Sequence, residues 1–149
     1  MDNYIKRMQE NLLLIRRSAG WSATQLGSRI GVSRQTINNI ESGKFKLTQP
    51  IYMAIRYVLD IEIKENPDDT LMLKGLLDML IDNPEKYAFD EVKDLKEEAE
   101  LISPAISKTK TREDVSKNWL KKAKVYGITT TVISAIALGT WGIISKLKK

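Results

Sequence analysis

Between Ser33 and Glu41 the chain reads SRQTINNIE, and five of these side chains, Arg34, Gln35, Thr36, Asn38 and Asn39, carry hydrogen-bonding groups. Ile37 and Ile40 fall three apart on the buried side of a short helix, which leaves those five pointing outward. No acid occurs before Glu41, whereas an ordinary solvated face includes acids. A guanidinium is a rigid fork of donors, and a carboxamide sets a donor beside an acceptor. Such groups match the edges of nucleic-acid bases: Arg34 suits O6/N7 of guanine, and Gln35 or Asn38 suits N6/N7 of adenine. Gln25, Ser33, Lys44 and Lys46, with the unpaired N–H groups at helix starts, suit phosphate oxygens.

Holding that face outward needs a second helix and a tight corner. Leu26 and Ile30 stand four apart, on one side of a preceding helix. Ser22 is placed to cap it, and Gly31 permits the left-handed backbone that stops it. Val32 would plug the angle between the helices, and Ser33 would cap the second.

These residues resemble the Cro and repressor family of helix-turn-helix domains, often called XRE-like. The matching positions are Leu26, Gly27, Ile30, Gly31, Val32, Ser33, Ile37 and Ile40, closed by the run Glu41 to Lys44. The resemblance spans roughly Ile5 to Asp60. Two positions depart from the family pattern: Gly27 stands where Ala is usual, and Ala23 where many relatives carry Gln. The resemblance implies a head of four or five helices over residues 1–62, with its second motif helix in the DNA major groove. It also implies a homodimer on double-stranded DNA, reading half-sites about 34 Å apart.

The 149 residues contain no cysteine and no histidine. Disulfides, thiolate or imidazole metal sites and nucleophile–histidine pairs are therefore excluded. A Ser–Lys dyad remains formally open, as in self-cleaving repressors, but no β-rich stretch accompanies it. No enzyme activity, cofactor or metal is expected. The net charge divides into three blocks: +5 over residues 1–60, −8 over 61–103 and +8 over 104–149. The basic head suits phosphates, and the basic end suits an anionic bilayer.

Ahead of the motif, Ile5, Met8, Leu12 and Ile15 predict a first helix ending near Gly20, with Trp21 as core. After it, Thr48 and Pro50 open a helix whose buried side is Ile51, Ile55, Val58 and Leu59. Asn66-Pro67-Asp68-Asp69 predicts a helix start, and Asn83-Pro84-Glu85 a break. Residues 66–103 thus form an acidic helical hairpin, serving either as packing on the head or as a dimerisation element. Its second arm presents Phe89, Val92, Leu95, Ala99 and Ile102.

Residues 104–124 predict a linker and a basic juxtamembrane helix, capped by Thr111, with Val115, Trp119, Ala123 and Tyr126 on one face. Residues 125–145 carry no charge. As a helix they would span about 30 Å, enough for a single C-terminal transmembrane helix. A basic tail, 146–149, follows. Charge asymmetry about the span predicts a single-pass, tail-anchored protein of the cell membrane with its N-terminal domain in the cytoplasm.

The expected fold is therefore all-α: repressor-like head, acidic hairpin and membrane helix. The function expected is a bacterial or phage-type DNA-binding transcription regulator tethered to the lipid bilayer. The alternatives are a membrane-bound adaptor and a phage-type immunity or exclusion protein, both using the head mainly for protein contacts.

Overall fold

The computed structural model describes residues 1–106 and 108–128. Its helices are α1 (Asp2–Ser18), α2 (Ala23–Ile30), α3 (Arg34–Glu41), α4 (Gln49–Glu65), α5 (Leu71–Leu77), α6 (Phe89–Ile102) and α7 (Arg112–Val125). A π-helical turn, Asp78–Asp82, extends α5, and short 3-10 turns cover Pro84–Lys86 and Ser103–Ala105.

The seven helices of the described residues share one core. Met8, Leu12 and Ile15 of α1 belong to the same apolar cluster as Ile37 and Ile40 of α3, Leu73 and Leu76 of α5, and Trp119 of α7. The reason lies in α1, whose apolar residues recur around more than one side. It packs against α3 and α4 on the head side, and against α5, its π-turn and α6 on the other. Leu76 and Leu80, the broad leucine face of the acidic segment, are buried within the chain. The same segment is held to the head by polar ties. Arg56 of α4 grips Asp82 with two bonds of 2.6 and 2.5 Å, and Arg7 Nε donates to the Ile81 carbonyl at 2.8 Å.

Several local expectations shift. Asn66-Pro67-Asp68-Asp69 opens no helix: Asn66 closes α4 through its N–H to the Glu62 carbonyl, and α5 begins only at Leu71. Thr70 Oγ1 donates to the Asn66 carbonyl at 2.6 Å, locking the turn between them. Phe89, expected on the buried side of α6, is 81% exposed at the first position of that helix.

The membrane helix is corrected. Among the described residues no helix is long and apolar enough to cross a membrane. Where the expected span begins, α7 stops: Gly127 takes φ +78°, and the N–H of Ile128 returns to the Ala123 carbonyl at 3.1 Å. A left-handed residue with this backward bond is a common helix terminator. Ile128 then folds into the core. The rest of the stretch expected to span, 129–145, and the tail 146–149 lie outside the described residues.

The expected juxtamembrane face is also turned inward. Val115, Trp119 and Ala123 are buried against α5 and α6. Two cations of α7 meet the acidic block, Arg112 through Glu62 and Asp69 and Lys122 through Glu98, and Tyr126 at the end of the helix donates to Asp94. The all-α class stands without a spanning helix among the described residues, the cell-membrane, single-pass location falls with that helix, and nothing supports a bilayer partner.

Candidate nucleic-acid interface

The corner between α2 and α3 is built by local bonds. Ser22 Oγ accepts from the Gln25 N–H at 3.0 Å while Gln25 Oε1 accepts from the Ser22 N–H at 2.8 Å, a reciprocal capping box. Gly31 takes φ +79°, a backbone that a β-carbon disfavours, and ends α2. Ser33 Oγ accepts from the Thr36 N–H at 3.1 Å and caps α3. Leu26, Ile37 and Ile40 are buried beneath the corner, and Val32 packs against them.

The packing here is tighter than sequence alone indicates. A β-carbon built on Gly27 would lie 2.5 Å from the Val32 carbonyl oxygen. The small residue at this position is therefore what lets α2 approach the turn.

Two long-range ties hold α3 to α1. Arg16 clasps Glu41 through Nε (2.6 Å) and Nη2 (2.9 Å), and its Nη1 donates to the Trp21 carbonyl at 3.0 Å. Gln9 Nε2 donates to the carbonyls of Ile40 (3.0 Å) and Phe45 (2.8 Å), while its Oε1 accepts from the Leu47 N–H at 3.0 Å. One carboxamide thus fixes both the end of α3 and the loop carrying Lys44 and Lys46. Sequence reasoning found neither the Gln9 tie nor the Arg16 tie. Their partners on α3 and the loop after it lie 25 to 38 residues away, where helical periodicity carries no signal.

Of the nine expected contact residues, Gln25, Ser33, Arg34, Gln35, Lys44 and Lys46 are exposed. Thr36 and Asn38 are half-buried, and the Thr36 hydroxyl shares a 3.0 Å bond with Ser33 Oγ. Asn39 departs from expectation. It is 8% exposed instead of pointing outward, and its Oδ1 accepts from Gln35 Nε2 at 3.1 Å. One turn separates the two, so the buried amide orients the exposed one. The backbone carbonyl of Asn39 also accepts from the Phe45 N–H, which draws the lysine-bearing loop under α3.

Arg34 and Gln35 therefore stand on a short, doubly anchored helix, flanked by exposed Lys44 and Lys46 and by two capped N-termini. This arrangement presents donors and acceptors outward with no competing carboxylate on the first two turns of α3.

Residues 12–66 match the helix-turn-helix family. The match covers just over a third of the chain and ends just past α4, so it speaks for the head and not for α5 to α7. No curated protein and no solved structure matches the chain.

Proposed function

We propose that this protein is a sequence-specific DNA-binding transcription regulator of the XRE type. The observation that carries the reading is the outward face of α3: Arg34 and Gln35 are exposed and free of acidic neighbours while Glu41 is consumed by Arg16. In this reading α3 enters the major groove. Arg34 pairs with guanine, and Gln35, oriented by Asn39, pairs with adenine. Asn38 and Thr36 contribute at the groove edge, and Gln25, Ser33, Lys44 and Lys46 meet phosphates. The expected partner besides DNA is a second copy, binding a near-palindromic site with its α3 about 34 Å from the first. Leu76 and Leu80 do not serve that contact, because they are buried within one chain.

The test is enrichment of duplexes from a random library by the full chain, followed by binding to the winning site and to random DNA. Arg34→Ala is expected to cost about 1–3 kcal/mol on the winning site and little on random DNA. Equal loss on both makes Arg34 a backbone contact. Failure to enrich any duplex overturns the reading and leaves the head as a protein-contact module. Sedimentation of the complex reports whether one copy or two occupy the site.

A further inference from the structure

We infer that the segment 108–110, outside the helix-turn-helix head, is part of the DNA interface and adds backbone-phosphate contacts beside the start of α2; the inference rests on the DNA-binding reading above. The segment is pinned to the head. Arg112 Nη1 donates to the Ala19 carbonyl at 3.0 Å, and Arg112 also pairs with Glu62 and Asp69. Ile106 packs so closely on the following turn that its Cγ2 lies 3.3 Å from where a Gly20 β-carbon would be.

This pinning brings Lys108 into a cleft of about 310 Å³ shared with Arg17, Trp21, Ser22, Gln25 and Ser103. Ser22 and Gln25 are the capped N-terminus of α2, the edge expected to face phosphate. Ser103, which with Arg17 also lines a neighbouring cleft carrying Glu10 and Glu100, is 2% exposed, and its Oγ has no hydrogen-bond partner among the described residues. Lys108 and Lys110 are exposed, and neither makes an ion pair with a described residue, nor does Arg17.

Arg17 and Lys108 border this cleft at the start of α2, and Lys110 lies in the adjoining cleft beside Trp21 and Lys108, so a duplex seated on α2 and α3 brings its phosphates to a cationic edge. Along α7, Arg112 pairs with Glu62 and Asp69, Lys117 with Glu113 and Lys122 with Glu98. Lys108 and Lys110 are not.

The test compares the full chain with its Lys108→Gln/Lys110→Gln variant on the enriched duplex and on random duplex across a salt series. Each phosphate lost lowers the magnitude of the log–log salt slope by about 0.9, so a drop of about 1.8 is expected. Affinity falls by the same factor on both duplexes, and backbone protection shrinks beside the α2 contact. An unchanged slope and footprint overturn the inference. If Arg34→Ala still abolishes the preference for the enriched site in that case, the DNA-binding reading survives alone. If the unaltered chain binds neither duplex, both fall.

Discussion

The indole of Trp119 occupies the space that a side chain on Gly75 would need: a β-carbon there would lie 2.6 Å from Cη2 and 2.8 Å from Cζ3. The same ring donates through Nε1 to the Leu95 carbonyl at 2.9 Å, so one residue of α7 joins α5 to α6. Gly75→Ala removes about 1 kcal/mol of helix-propensity cost, yet the methyl forces a rigid, fully buried ring to move. Overpacking of this kind costs about 1–3 kcal/mol. The expected result is a lower urea midpoint for Gly75→Ala. Trp119→Phe, which removes the donor and one fused ring from a fully buried site, is expected to cost about 2–4 kcal/mol, the lost hydrogen bond adding to a cavity.

Gly27→Ala restores the residue usual in the resembling family and is still expected to destabilise. Its methyl meets the Val32 backbone oxygen, which cannot swing aside as a side-chain end would. A loss of about 1–2 kcal/mol in denaturant unfolding is expected, and an unchanged or raised midpoint shows that the corner relaxes freely.

Glu41→Gln leaves the Arg16 guanidinium without its carboxylate at a site where the two side chains are only 11% and 9% exposed. Breaking a pair this buried is expected to cost about 3 kcal/mol, measured by chemical unfolding. Because Arg16 ties α1 to the end of α3, the variant should also show faster amide exchange in α3 than in α6.

Lys74 is buried on α5, and desolvation lowers its pKa below the ordinary lysine value. Between the folded and unfolded values the unfolded chain binds more protons, so this group makes stability rise with pH across that window. Lys74→Met is expected to raise the urea midpoint at pH 7. The gap to the unaltered protein should close as pH climbs to the ordinary lysine value. A constant gap across that range places the effect in packing and not in charge.

The helix-turn-helix corner was legible because everything that makes it is local. Ser22 with Gln25 and Ser33 with Thr36 are three apart, Gly31 acts on its own backbone, and Leu26, Ile37 and Ile40 follow helical spacing. The Thr111 cap of α7 was legible for the same reason. Asn39 was not: a polar residue's identity does not tell whether it faces water or leans on the neighbour one turn back. The Gln9 and Arg16 anchors depend on which helices meet, and no residue within a turn of them signals it.

The largest divergence concerns α7. A face of Val115, Trp119 and Ala123 edged with lysines satisfies two environments equally well by pattern, the surface of an anionic bilayer or an acidic helix pair. Periodicity states that such a face must be covered, but burial is non-directional and does not state by what. Tertiary structure decided it by supplying Gly75 as a socket for the indole, the Leu95 and Asp94 oxygens as acceptors, and Glu62, Asp69 and Glu98 as counter-charges.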